Sequence, residues 1–321
     1  MYDIMLGAIS LGLLWGIMTL GVYLTYRILD VADLSVEGTI ALGGAVAARM
    51  ITSDINPWIA TLCAVIAGCL GGLITGLLHT KLKIPALLSG ILTMIALYSI
   101  NLRVMGKANT PLLRTESVFD IFIDLGLTKT KAVLVLGLII VIVVSVITYW
   151  FFGTELGSAI RATGNNPNMV RAQGIHTNTM IIIGLVLSNG LVAFSGALIA
   201  QYQSYADVQM GTGSIVIGLA SLIIGEVIIG TKSFKRTLFA LAFGAVTYRI
   251  IIALVLKFGM NANDLKLFTA ITVAFCLALP MIKAWLAPLL RRLSVLLAPL
   301  FGPISRLFYR FASLFHKKGG K

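Results

Sequence analysis

Apolar residues arrive in runs of about 20, the length that crosses a bilayer as a helix, separated by short polar breaks. The pattern predicts nine spans, at about 3–29, 34–52, 58–78, 84–104, 131–152, 179–200, 214–230, 237–256 and 267–287. One long polar segment, 155–174, lies between the two apolar halves. Its punctuation predicts two short helices. The first covers 155–163, with Gly164 at its end, where only glycine takes a positive φ cheaply. The second is capped by Asn166, opens on Pro167 and stops at Gly174. Such a pair would lie along the membrane surface and offer Arg161, Asn165, Asn168 and Arg171 to a soluble partner.

Composition fixes the solvent. Hydrophobic residues make up 58% of the 321 residues and charged residues 12%, against ~25% charged in a soluble domain, and mean hydropathy is +0.98. The expected fold is all-α: a polytopic transmembrane helical bundle over 1–287, with a coupling segment at 153–178 and a basic amphipathic tail over 288–321. The run from Ile4 lacks a basic region before it, so it reads as a first span and not as a cleaved signal.

The net charge of +13 follows topology better than a nucleic-acid partner, which needs a solvent-facing basic surface. Arg27, Lys81, Lys83, Arg161, Arg171, Lys232, Lys235, Arg236 and the tail gather on one side. The other side carries basic residues diluted by Asp54, Glu116, Asp120, Asp124, Asp207 and Asp264. The positive-inside rule then places the N-terminus outside and the C-terminus in the cytoplasm of an inner-membrane, multi-pass protein. In the tail, Ile304, Leu307, Phe308, Phe311 and Phe315 share a helical face with basic residues elsewhere, as in a helix lying on anionic lipid or on a partner subunit.

Gly68, Gly72 and Gly76, and Gly12 with Gly16, recur every four residues and predict close helix crossings. Cys63, Cys69 and Cys276 sit in apolar runs without CxxC spacing, and the three histidines are scattered, so no metal site is expected. GxxxxGK[ST], GxSxG and HExxH do not occur in the sequence. No catalytic residue and no resident cofactor is therefore expected, and a partner would have to bind ATP and magnesium.

Charge at membrane depth stands out instead. Asp33, Ser35, Glu37 and Gly38 form a polar break between two spans, and Glu226 interrupts another apolar run. An ionised group at the bilayer centre costs about 3 kcal/mol on insertion scales, so such residues face protein or water. The first break reads either as a substrate pathway or as a helix cap by Asp33 or Ser35, which leaves Glu37 unexplained. Glu226 reads as part of a pathway or as a partner of Lys232, Lys235 or Arg236. Arg249, inside a span, is expected to pair with Glu226 or Glu37.

Arg161-Ala162-Thr163-Gly164-Asn165-Asn166-Pro167, followed by Arg171-Ala172-Gln173-Gly174-Ile175, resembles the coupling segment of permease subunits in the ABC importer family for branched-chain amino acids, ribose and nucleosides. Asp33-Leu34-Ser35-Val36-Glu37-Gly38 and the glycine-rich run 218–230 are similar to two further segments of that family, in family order. The stretch 21–35 resembles a subgroup linked to tryptophan or other aromatic amino acid uptake. The resemblance implies a permease homodimer or paired permeases, an ATP-binding cassette subunit docked on the coupling segment, and an extracellular substrate-binding protein. Its implied coupling residues are Arg161, Gly164, Asn166, Pro167, Asn168, Arg171 and Gly174. An ion-driven secondary transporter coupled through Glu37 and Glu226 is the alternative, with nucleosides or sugars as alternative solutes.

Overall fold

The computed structural model describes residues 2–113 and 115–257, and within 267–281 only 267, 268, 270–275, 278 and 281. The chain divides into a compact unit over 1–269 and a second over 270–321. The amphipathic tail, and most of the ninth predicted span, lie outside the described residues.

In the first unit, α1 (Tyr2–Tyr23) runs on through a π-helical turn at Leu24–Ile28. It is followed by α2 (Ser35–Ile51), α3 (Pro57–Thr80) and α4 (Ala86–Met105). Strand β1 (Asn109–Pro111) and the short α5 (Asp120–Asp124) lead to α6 (Lys129–Phe151). Then come α7 (Glu155–Asn165), α8 (Pro167–Ala172) and α9 (Thr177–Gln203). Strand β2 (Tyr205–Asp207), α10 (Ser214–Ile228) and α11 (Phe234–Lys257) complete it.

Among the described residues, six helices are long and apolar enough to cross a membrane: Asp3–Ile28, α3, α4, α6, α9 and α11. The predicted spans at 34–52 and 214–230 form helices too, but α2 has 17 residues and α10 has 15, short of the roughly 20 that a full crossing needs.

Helices α1, α2 and α9 form the centre. Leu14, Ile17, Met18, Leu20, Val36, Ile40, Leu185, Val192 and Leu198 are fully enclosed there. The glycine row of α3 lies on α9: a methyl at Gly72 would run into the Leu185 carbonyl, one at Gly68 would meet Ala193, and Gly76 packs on Ile182. This is the close approach that small residues permit where lipid supplies no hydrophobic pull. The outward faces are apolar instead. Ile59, Leu62, Ile66, Leu70 and Ile74 of α3 and Ile139, Ile142, Val143, Val146 and Ile147 of α6 are exposed, as a lipid solvent requires. At the end of the bundle away from α7 and α8, β1 pairs antiparallel with β2, Thr110 opposite Ala206.

Candidate functional site

The first helix break follows α1. Asp30 adopts a left-handed φ of 56°, which aspartate tolerates better than most residues, and turns the chain back into the bundle. Asp33 then caps α2: its Oδ1 accepts the Ser35 N–H at 2.8 Å. Its Oδ2 accepts from Asn189 Nδ2 at 2.9 Å. Asn189 Oδ1 in turn accepts the hydroxyls of Ser35 (3.1 Å) and Thr39 (2.7 Å), and its Nδ2 also reaches the Leu185 carbonyl. Asp33 is 2% exposed and Asn189 0%, so this network meets the demand that buried polar groups be paired. Asn189 lies about 18 Å along α9 from Thr177, near the middle of that helix.

The second break precedes α10. Gly213, with a φ of 78°, sits just before its first residue, and its N–H is taken by Glu37 Oε1 at 3.0 Å. Thus the acid that capping of α2 left unexplained closes the start of α10. The two short helices begin side by side in the interior. Gly38 lies under Leu97 and Met94 of α4, and Asn101 of α4 donates to the Gly38 carbonyl at 3.2 Å. Asn101 Oδ1, and Oγ of Ser214 next to Gly213, are buried with no hydrogen-bond partner among the described residues.

Glu226 does not join this cluster. It sits about 20 Å further along α10 than Gly213, and its carboxylate lies 3.5 Å from Arg27 Nε. The expected partners Lys232, Lys235 and Arg236 are corrected to Arg27, because the end of α10 packs against the end of α1. Arg249 pairs with neither glutamate: its guanidinium stacks 4.2 Å from the Trp15 ring centroid. A ring face is the electrostatic partner that a cation finds when no carboxylate is in reach.

The α7–α8 pair forms as the punctuation predicts, with one difference. Thr154 caps α7 by accepting the Gly157 N–H at 3.3 Å. Asn166 caps α8 by accepting the Met169 N–H at 3.1 Å, with Pro167 at its first position. Gly174 takes a φ of 82° and ends the pair. Gly164, however, is not a left-handed terminus: α7 continues to Asn165, and Gly164 is small because a side chain there would strike the Ile28 carbonyl. The pair is thereby locked to the π turn that ends α1. Arg161 lies over the Phe234 ring at 5.1 Å, and Arg171 Nε donates to Thr177 Oγ1 at 2.8 Å. Both arginines brace the pair against α11 and α9. Ile160 and Val170 anchor it in the core, while Asn168 and Met169 stand exposed at its tip.

Sequence reasoning missed Asn189, Thr39 and Gly213. A lone asparagine in mid-span, the signal for Asn189, was available.

The arrangement defines a polytopic α-helical membrane protein with two short helices whose starts meet in its interior and a braced helical pair at one end. The chain belongs to the family described as branched-chain amino acid transport system permease component, whose profile matches residues 4–279, and it is thus a permease of the ABC transporter class. It is 42% identical over 266 residues to a tyrosine transport system permease protein of Clostridioides difficile (strain R20291), covering 83% of this chain and 88% of that one. It is 28% identical to the ribose import permease protein RbsC of Escherichia coli (strain K12), over 60% of each chain. A solved structure, PsaBC from Streptococcus pneumoniae in complex with Fab, aligns with 86% of this chain and 90% of its own at a TM-score of 0.49 and 14% identity.

Proposed function

We propose that this chain is the translocation subunit of an importer for an aromatic amino acid of the tyrosine or tryptophan class. The observation that carries the reading is the meeting of the α2 and α10 starts at Glu37 and Gly213. Helix starts carry partial positive charge and favour a carboxylate, and helix ends set inside a bundle release backbone groups that can hold a solute. Asp33, Ser35, Glu37 and Gly38 would shape that pathway, with Asn189 fixing Asp33 and Ser35. Glu226, held by Arg27, would lie on the route towards the α7–α8 end. The 42% identity to a tyrosine permease supports the substrate class.

The α7–α8 pair is the docking element for a separate ATP-binding cassette subunit, with Asn168 and Met169 as contact residues and Arg161, Gly164, Asn166, Pro167, Arg171 and Gly174 as its frame. This end faces the cytoplasm, so the N-terminus lies outside and the C-terminus inside. ATP and magnesium bind only the partner. The β1–β2 end faces an extracellular binding protein, and two permease copies enclose the pathway.

Reconstitution tests the reading. Vesicles holding this chain, its cassette subunit and its binding protein should take up labelled tyrosine or tryptophan on ATP addition, and ribose should not compete. Uptake by the chain alone under a proton or sodium gradient would overturn it in favour of the ion-coupled alternative.

A further inference from the structure

Between α6 and α11 runs an apolar groove of about 550 Å³, within the roughly 300–1,000 Å³ of small-molecule sites. Leu13 of α1 contributes to its lining, and its walls include Ile142, Val146, Phe239 and Phe243, all four exposed. Apart from Ser145 of α6, its polar lining residues are Lys235 and Tyr149, which stand at the α7–α8 side of the bundle with the lysine ammonium 4.8 Å from the ring centroid. Lys232 and Arg236 flank Lys235 in sequence, and all three are exposed.

We propose that this groove is a binding site for an anionic phospholipid, with an acyl chain along α6 and α11 and the phosphate at Lys235. Length supports this occupant. The α11 residues of the groove extend from Lys235 to Val246, about 16 Å at 1.5 Å per residue, and one leaflet of a ~30 Å hydrocarbon core is about 15 Å deep. Charge supports it as well. A cation at one end of an otherwise apolar trough matches a molecule with one anionic head and a long apolar chain, and a lysine can reach a headgroup while its stem covers apolar surface. The chain's own segment 283–321 is a poor competitor, since it contains no aspartate or glutamate to meet Lys235.

The test uses the full-length chain purified in detergent, titrated with phosphatidylglycerol or phosphatidylcholine and followed by native mass spectrometry and thermal unfolding. Phosphatidylglycerol should bind about fivefold more tightly than phosphatidylcholine, the equivalent of about 1 kcal/mol for one lysine near a headgroup. Lys235→Gln should abolish that preference while keeping weak binding of both lipids. Ala242→Phe, which fills the groove, should weaken both. Inorganic phosphate alone should have no effect. Equal affinity for the two lipids in the parent chain, or an unchanged preference in Lys235→Gln, overturns the proposal. So does a Val146→Cys thiol that becomes reactive only after residues 288–321 are removed, because the tail would then be the occupant. The same holds for protection of that thiol that grows with protein concentration, which would mark a second copy.

Discussion

The Glu37 carboxylate accepts the Gly213 N–H at 3.0 Å, so a side chain from the first turn of α2 closes the start of α10. Neither short helix can move along its axis without breaking or carrying that bond. The contact ties a helix of the first half of the chain to one of the second.

Removing it has a predictable cost. Glu37→Ala leaves a part-buried N–H without its acceptor, a loss of about 1–3 kcal/mol, and should lower both the unfolding temperature in detergent and the rate of uptake. Glu37→Gln keeps a carbonyl oxygen at the same reach and should recover most of the stability. If both variants unfold like the parent, the bond does not hold the two helices together.

Asn189 is the second point where the halves are tied. Asn189→Leu removes the acceptor for Ser35 and Thr39 and the donor to Asp33, leaving a buried carboxyl with fewer partners. The expected cost is about 3 kcal/mol, on the scale of one to three per buried group left unpaired. Expression with intact folding, measured by chromatography and thermal unfolding, should fall sharply. Asn189→Leu protein as stable as the parent would count against the network.

These two residues also mark what the sequence could disclose. Long apolar runs located the six long helices within a few residues, since some 20 mainly apolar residues have few other destinations. The capping of α2 by Asp33 was open to view because it is local: donor and acceptor are two residues apart. Glu37 was visible as an anomaly, but its partner is 176 positions away, beyond any local pattern. Gly164 shows the same limit from the other side. A glycine near a helix end reads as a left-handed turn, yet its cause is the Ile28 carbonyl arriving from α1. Arg249 was matched to carboxylates because charge is legible in a sequence, whereas the face of Trp15 is not.

Gly164→Ala follows from that contact. The added methyl has the Ile28 backbone oxygen in its path, and backbone cannot swing aside as a flexible side chain would. Overpacking of this kind costs about 1–3 kcal/mol. It would push α7 off the end of α1 and weaken stimulation of the cassette ATPase by the permease. Equal ATPase stimulation by the parent and Gly164→Ala would show that α7 does not need this seat.

Arg249 and Trp15 join α11 to α1 through a cation resting on a ring. Away from water such a pair is worth about 2 kcal/mol, and tryptophan gives more than phenylalanine. Trp15→Phe should therefore lose part of the stability that Trp15→Leu loses. Arg249→Met alone removes the charge but leaves the ring packed against an apolar chain of similar reach. Paired in a double-mutant cycle, Trp15→Leu and Arg249→Met should be less harmful together than the sum of the two, by about 1–2 kcal/mol. The cycle separates this contact from the general cost of moving a cation inside a membrane, because that cost is present in both arms and cancels. A coupling near zero, read from thermal unfolding of the four proteins in one detergent, would mean that the ring does not hold the charge.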